Sequence, residues 1–231
     1  MLTGLCGLAH ESLGGEAPPL LAGAVQRWAA GQGELAFTQQ TWVYGADGSA
    51  KEERTERYDP SLPDDRRWTL IDIGGVPATD AQRRKWESHK NGKPKRKAGR
   101  TPFDFLDLNH ATLVGETDSS ARYRVPILSP AGTLLALDEI DVVITVDKRS
   151  GVVEGLGVAL KEPIRILLGL AQITILDVDF RLSHVDAGTG EGLYGVLPES
   201  TARMRISELG TPVEYRWSQF SRVGPAAPKR G

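Results

Sequence analysis

The sequence predicts a mainly β protein of the α+β class: a strongly curved antiparallel half-barrel covered by a few short helices. The first observation is the run from Asp138 to Leu182, where three stretches alternate apolar with polar residues. Successive side chains on a strand point to opposite faces, so each stretch has one apolar face. The second is a turn, Lys148-Arg149-Ser150-Gly151, that joins two of these stretches. The third is Gly155 and Gly157 on one face of a strand, which indicates a strand that coils as the sheet curls.

Bulk composition excludes several classes of protein and of site. A chain of 231 residues with 40% hydrophobic content is large enough to bury one β core. No run reaches the roughly 20 apolar residues of a membrane-spanning helix, and a net charge of −2 points to neither nucleic acid nor an acidic substrate. The single cysteine, Cys6, excludes an internal disulfide framework. No two of the four histidines have a metal-ligand spacing, and we expect no metal and no cofactor.

The chain is expected to hold one half-barrel domain, residues 18–222, followed by a disordered tail at 223–231. Residues 1–17 contain an apolar stretch, Leu2–Leu8, and a Gly7-Leu8-Ala9 that resembles a cleavage site. A secretory signal also needs a basic start and a longer apolar stretch, and this segment has neither. Two interpretations of this segment remain open: a flexible leader without a functional role, and the remnant of a signal peptide.

A helix is predicted from Leu20 to Ala30. Leu21, Val25 and Trp28 fall at i, i+4 and i+7, which places them on one face, and Gly31 is a plausible C-terminal stop. We expect this helix to pack across the sheet.

Strands follow the helix. Phe37–Tyr44 and Lys51–Tyr58 flank an Asp-Gly turn and are predicted to form a hairpin. The second of them alternates acidic and basic residues, which favours an edge position, because charge discourages edge-to-edge association. A third strand, Arg67–Ile73, is expected to end at Gly74-Gly75.

A second helix begins with a capping box, Thr79 and Gln82, and leads into a strongly basic segment. Between positions 83 and 100 there are nine basic side chains and one acidic residue, Glu87. Three interpretations stay open: a solvated loop, a contact with anionic lipid headgroups, and a contact with nucleic acid. Nucleic acid is not expected, because Trp86 is the only aromatic residue there. The candidate residues for an anionic-surface contact are Arg83, Arg84, Lys85, Lys93, Lys95, Arg96 and Lys97.

The sequence contains no catalytic motif that is specific enough to indicate an activity. A turn of helix, Phe103–Leu108, carries Asp104 and Asp107 three residues apart. Acid–base catalysis would need the pKa values of two such carboxyls to be split by burial or by a charge, so exposed surface charge is the favoured interpretation. G-x-S-x-G, H-E-x-x-H and a cysteine–histidine pairing are all missing from the sequence. We therefore expect no enzyme.

The rest of the chain reads as further antiparallel strands. They are expected at Thr112–Glu116, Ala121–Ile127, Ile140–Asp147, Val152–Leu160, Gln172–Leu182, Ala202–Leu209 and Val213–Phe220. The apolar connection at residues 164–170 is expected to be buried or to touch an apolar group. The glycine-rich turn at 186–192 is not a phosphate loop, since no Lys-Ser/Thr follows it.

In its order of elements the chain resembles the periplasmic LolA/LolB-like lipoprotein-carrier superfamily. The resemblance lies in the N-terminal helix, the hairpin FTQQTWVYGADGSAKEERTERYDP and the meander DEIDVVITVDKRSGVVEGLGVAL. In that superfamily a curved half-barrel is closed by helices, and its concave face holds acyl chains. The resemblance implies a periplasmic or cell-envelope protein with a lipid or acyl-chain ligand. We match none of this chain's arginines to the family's lid-closing arginine.

An aliphatic stripe is the candidate ligand-binding face. The predicted residues are Ile140, Val142, Ile144, Leu176, Val178, Phe180 and Leu182. The same side chains could equally form the core beneath the helices, and alternation alone does not separate the two roles. The sequence gives no indication of the oligomeric state.

Overall fold

In the part of the chain that the structure describes, one large open sheet of eleven antiparallel strands forms the body of the protein. The computed structural model describes residues 15–31, 35–91, 102–128, 137–166, 171–182, 184–185, 195–196, 200–208 and 210–223. In this part of the chain the strands are β1 (Leu35–Tyr44), β2 (Ala50–Tyr58), β3 (Trp68–Ile73), β4 (Val76–Pro77), β5 (Thr112–Glu116), β6 (Ser120–Arg124), β7 (Ile140–Asp147), β8 (Val153–Leu160), β9 (Ile164–Ile166), β10 (Ala171–Ile173), β11 (Leu176–Arg181), β12 (His184–Val185), β13 (Gly195–Val196), β14 (Thr201–Glu208) and β15 (Thr211–Arg222). The sheet order is β4-β3-β2-β1-β15-β14-β11-β8-β7-β6-β5, and β9–β10 and β12–β13 form two separate pairs.

Two α-helices, α1 (Pro19–Gly31) and α2 (Asp80–Asn91), contact one face of the sheet, here called the inner face. The predicted fold class, a mainly β, curved antiparallel half-barrel with a few short helices, is confirmed. The helix predicted from Phe103 to Leu108 is instead two 3-10 turns, Pro102–Phe105 and Leu108–His110.

Helix α1 covers the β7–β8 end of the inner face. Its residues Leu21 and Val25 are buried, as their spacing predicted. Trp28 packs edge-to-face on Phe103, with ring centroids 5.7 Å apart. The Nε of Arg27 donates to the carbonyl oxygen of Gly151 at 3.0 Å and fixes the helix to the β7–β8 turn. The core cluster beneath α1 comprises Leu21, Ala24, Val25, Phe103, Ala111, Ala121, Tyr123, Val125, Ile144, Val146, Val153 and Leu182.

The prediction that the charged strand β2 lies at an edge is wrong. Strands β3 and β4 pair beyond it, so β2 lies inside the sheet. Its charges are tolerated there because the inward carboxylate, Glu56, is neutralised by ion pairs. The edge on this side of the sheet is the two-residue β4, where Pro77 has no N–H to offer a further strand.

The stretch Gln172–Leu182 is two strands rather than one. Strand β10 ends at Ile173 and β11 begins at Leu176. Between them the backbone N–H groups of Thr174 and Ile175 donate to the hydroxyl of Ser207, at 2.8 and 3.3 Å. This buried side chain replaces a backbone partner, and alternation along the strand could not predict it.

Several sequence expectations lie outside the described residues. They concern the leader up to residue 14, residues 92–101, residues 167–170, the turn at 186–192 and the tail from residue 224. Of the apolar connection, Ile164 is buried, as expected, at 3% exposure.

Candidate ligand-binding face

Cross-strand pairing places a single row of side chains across nine strands of the inner face. The row runs Tyr123, Ile144, Leu156, Phe180, Ala202, Trp217, Gln39, Glu56 and Leu70. From β6 to β14 the row is almost wholly apolar, on β15 it is aromatic, and on β1 and β2 it is polar. The inner face therefore changes character along the sheet.

A second row repeats the change. It runs Val142, Val158, Val178, Met204, Tyr215, Thr41 and Arg54. The polar residues of the two rows are neighbours on β1 and β2, so they form one polar region beside one apolar region.

The structure places all seven predicted ligand-binding residues on the inner face, but in two different surroundings. Ile144 and Leu182 belong to the core cluster under α1, and Val142 is 2% exposed. Ile140, Leu176 and Phe180 are half-buried, and Val178 is 9% exposed. Val142, Ile144, Leu182 and the buried Val178 fit the core interpretation, whereas Ile140, Leu176 and Phe180 are partly exposed.

Beyond the cover of α1, half-buried apolar side chains continue across β8, β11, β14 and β15. This apolar strip comprises Val158, Leu160, Leu176, Phe180, Met204, Ile206, Tyr215 and Trp217. Trp217 stacks on Phe180 and on Tyr215, with centroid distances of 5.8 Å in both cases. Six of the eight were not predicted as site residues, although the alternation at Met204/Ile206 and Tyr215/Trp217 was the available signal.

A buried carboxylate organises the polar end of the inner face. Glu56 is fully buried at 0% exposure. Its Oε1 accepts from Arg54 Nε at 2.7 Å, and its Oε2 accepts from Gln39 Nε2 at 2.7 Å and from Lys90 Nζ at 3.1 Å. Trp217 Nε1 donates to Gln39 Oε1 at 2.9 Å and joins this cluster to the apolar strip. A charged residue in the middle of a sheet was not anticipated from the sequence.

Helix α2 is attached to the inner face by its last turn. Asn91 makes two hydrogen bonds of 3.1 Å with the backbone N–H and carbonyl of Trp68. The ammonium of Lys90 lies 4.1 Å from the centroid of Trp68 and 5.1 Å from that of Trp86. None of the side chains of α2 is buried.

The start of α2 is the predicted capping box. The backbone N–H of Thr79 donates to Gln82 Oε1 at 2.8 Å, and that of Gln82 donates to Thr79 Oγ1 at 3.3 Å. Of the residues predicted for an anionic surface, Arg83 pairs with Asp80 at 2.9 Å. Arg84 and Lys85 are exposed. Lys93, Lys95, Arg96 and Lys97 lie outside the described residues, so this contact stays a prediction.

The outer face carries an ionic cluster on β14 and β15. Glu214 is 4% exposed, and the Nε atoms of Arg216, Arg203 and Arg205 lie 2.7, 3.2 and 3.7 Å from its oxygens. Burial raises the pKa of Glu214, but the hydrogen bonds and charges of Arg216 and Arg203 outweigh it, so the pKa lies below its ordinary value of 4.5. This arrangement stabilises the carboxylate in its charged form and offers no acid for catalysis.

A hollow of about 480 Å³ lies on the outer face over Gly155 and Gly157, where the sheet lacks side chains. Arg122, Thr145 and Arg181 are among the residues that line it. Val143, Leu156 and Phe180 also contribute to the lining, so the hollow is mixed in character.

Other candidate chemistry gains no support from the geometry. Asp107 Oδ2 lies 2.7 Å from His110 Nδ1, and Asp104 is exposed, as the surface-charge interpretation predicted. In the described part of the chain, no three His, Cys, Asp or Glu side chains come together as metal ligands. Among the helices that the structure describes, none has the length and apolar character to cross a bilayer.

Comparison with known proteins gives only distant similarities. No protein-family model matches the sequence, and neither does any curated protein. The chain is similar to the LolA superfamily protein NE2245 from Nitrosomonas europaea, with 13% identity and a TM-score of 0.31 over 91% of this chain and 94% of that one. It is also similar to MucB, solved in complex with MucA(peri), with 10% identity and a TM-score of 0.20 over 90% and 98% of the two chains. Likeness at this level shows neither family nor function.

Proposed function

We propose that this protein is a non-enzymatic binding protein of the cell envelope that holds an acyl chain against the apolar strip. The observation that carries the proposal is the half-buried state of the strip. Apolar side chains of a core are normally covered, and a contiguous apolar surface that stays partly accessible is typical of a binding site.

The dimensions of the strip favour a linear apolar ligand. It spans β8, β11, β14 and β15, which is roughly 14 Å at the usual spacing between strands. The core cluster under α1 bounds it on one side, and the cluster around Glu56 bounds it on the other. A strip of this width fits a hydrocarbon chain better than the face of a folded partner. Each buried methylene stabilises such a complex by about 0.8 kcal/mol.

We assign different roles to the partly exposed and the buried members of the predicted residues. Leu176, Phe180 and their neighbours Met204 and Ile206 would contact the ligand. Ile144 and Leu182, which pack beneath α1, would support the sheet without touching it. Binding would therefore use the middle of the sheet rather than its α1-covered end.

Native mass spectrometry after incubation with phospholipid vesicles tests the proposal. Leu176→Asn should reduce bound lipid strongly, because it places an amide in the strip. Asp177→Asn puts the same side chain on the exposed outer face of the same strand and should leave binding unchanged. Circular dichroism and thermal melting of both variants separate lost binding from lost folding.

The salt dependence separates this proposal from attachment to an anionic surface through the basic segment. Acyl-chain binding should change little between low and high salt, since it depends on apolar contact. Attachment through the basic side chains of residues 83–100 should weaken steeply as salt screens them. The proposal is contradicted if the wild-type protein takes up no lipid, or if the wild type and Leu176→Asn take up equal amounts.

A further inference from the structure

Lys90 places a primary ammonium group between a buried carboxylate and two indole rings. We infer that this position is the binding site for the ammonium headgroup of a lipid, and that Lys90 occupies it in the absence of ligand. The inference rests on the proposed function, since the acyl chain of that lipid would lie on the apolar strip. It adds that the headgroup carries an ammonium, because the side chains of the strip do not discriminate between headgroups.

The surroundings of the Lys90 ammonium are those of a cation site. Glu56 Oε2 lies 3.1 Å from Nζ, the Trp68 centroid lies 4.1 Å away, and the Trp86 centroid lies 5.1 Å away. Indole faces attract cations within about 6 Å of the ring centroid, most strongly when the cation is desolvated. A carboxylate that is fully buried also has a high cost when it lacks a cation.

The charges around this position balance only with a cation there. Glu52 and Glu56 are both bound by the single guanidinium of Arg54. Without the Lys90 ammonium these three groups carry one net negative charge. An anionic headgroup would therefore be repelled, while the ammonium end of a zwitterionic headgroup would be attracted.

The position is continuous with the apolar strip. Glu56, Gln39 and Trp217 lie in one cross-strand row on the neighbouring strands β2, β1 and β15. Two strand spacings separate Glu56 from Trp217, about 10 Å along the sheet. One lipid can thus reach the ammonium position while its acyl chain lies beyond Trp217.

Lys90 can leave this position without unfolding α2. No side chain of the helix is buried, and the two hydrogen bonds between Asn91 and Trp68 hold its last turn independently of Lys90. An incoming ammonium would make the same contacts that Lys90 loses. The affinity of the wild-type chain for the lipid ammonium would therefore be lower than the affinity of the vacant position.

Competition between two headgroups tests the inference. The protein is incubated with vesicles of equal phosphatidylethanolamine and phosphatidylglycerol content, and the bound lipids are identified by mass spectrometry. Lys90→Met removes the resident ammonium but keeps an apolar stem. It should raise the ratio of bound phosphatidylethanolamine to phosphatidylglycerol about fivefold, from the usual range of cation–π contacts.

Three further variants complete the test. Lys51→Met removes an exposed lysine on β2 that belongs to neither proposed site and should leave the ratio at the wild-type value. Glu56→Gln and Trp68→Leu should each reduce the ratio in the Lys90→Met background, and either suffices if the other fails to fold. Lipid uptake with an unchanged ratio in Lys90→Met overturns the inference and leaves the proposed function intact. No uptake of either lipid by any variant or by the wild type overturns both.

Discussion

The indole Nε1 of Trp217 donates a hydrogen bond to Gln39 Oε1 at 2.9 Å, and at this contact the inner face changes from apolar to polar. Gln39 is 5% exposed, and its Nε2 donates a hydrogen bond to Glu56 Oε2. A buried amide needs partners for both its oxygen and its nitrogen, and these two residues supply them. The boundary of the proposed binding strip is therefore fixed by hydrogen bonding rather than by the end of the sheet.

Removal of the buried carboxylate should destabilise the fold more than removal of a surface one. Glu56→Ala leaves Arg54 and Lys90 without their shared partner and should lower the free energy of unfolding by about 3 kcal/mol. Glu53→Ala, on the outer face of the same strand, should change it by less than about 0.5 kcal/mol. Urea unfolding measures both values. Equal effects would show that the Glu56 cluster is no more than surface charge.

Core and strip residues should respond differently to truncation. Ile144→Ala opens a cavity under α1 and should cost about 3 kcal/mol of unfolding free energy. Leu176→Ala should cost about 1 kcal/mol, because its side chain is only half-buried in the unliganded protein. Guanidinium unfolding of the two variants is the measurement. A larger loss at Leu176 than at Ile144 would assign both to the core.

The break between β10 and β11 should depend on one hydroxyl. Ser207→Ala leaves the N–H groups of Thr174 and Ile175 without their acceptor and should cost about 2 kcal/mol. Ser218→Ala is the matched control on the neighbouring strand, since no hydrogen bond to the Ser218 hydroxyl is present in the described part of the chain. Thermal unfolding of the pair gives the difference, and equal melting temperatures would contradict the assigned role.

The capping box should govern the local stability of α2 but not that of the whole protein. Thr79→Ala should cost about 1 kcal/mol of helix stability and raise hydrogen exchange at the α2 amides about fivefold. Global unfolding should barely change, because α2 buries none of its side chains. Thr79→Ser keeps the hydroxyl and should restore slow exchange. A Thr79→Ala variant that unfolds globally would show that α2 is integral to the core.

Glu214 should make the fold sensitive to acid. The pKa of its carboxyl is lower in the folded state than the ordinary 4.5, owing to Arg216 and Arg203, so the unfolded state takes up the proton first. The stabilising contribution is fully present above that ordinary value and is lost as the pH falls below it, through the folded-state pKa. The stability difference between wild type and Glu214→Gln should thus shrink on acidification. Glu53→Gln controls for the loss of one charge, and a difference that is independent of pH would contradict the assignment.

Local features of this fold could be predicted because they depend on near neighbours in the sequence. Alternating residues gave the strands, and the Thr79–Gln82 spacing gave the capping box. Three predictions were wrong: a helix over Phe103–Leu108, an edge position for β2, and one unbroken strand across Thr174. The last two concern pairing partners outside the strand itself. Strand β3 covers β2, and Ser207 is more than 30 residues from Thr174.

The sequence by itself determined which residues alternate, where the chain turns and which side chains share a face. Tertiary structure alone decided that β1 lies beside β15, and therefore that Gln39 and Glu56 continue the row of Phe180 and Trp217. It also decided which part of the aliphatic stripe α1 covers. The physical reason is that the alternation between the two faces of a strand depends only on the residues of that strand. Its neighbouring strands and the helix that covers it come from other segments of the chain.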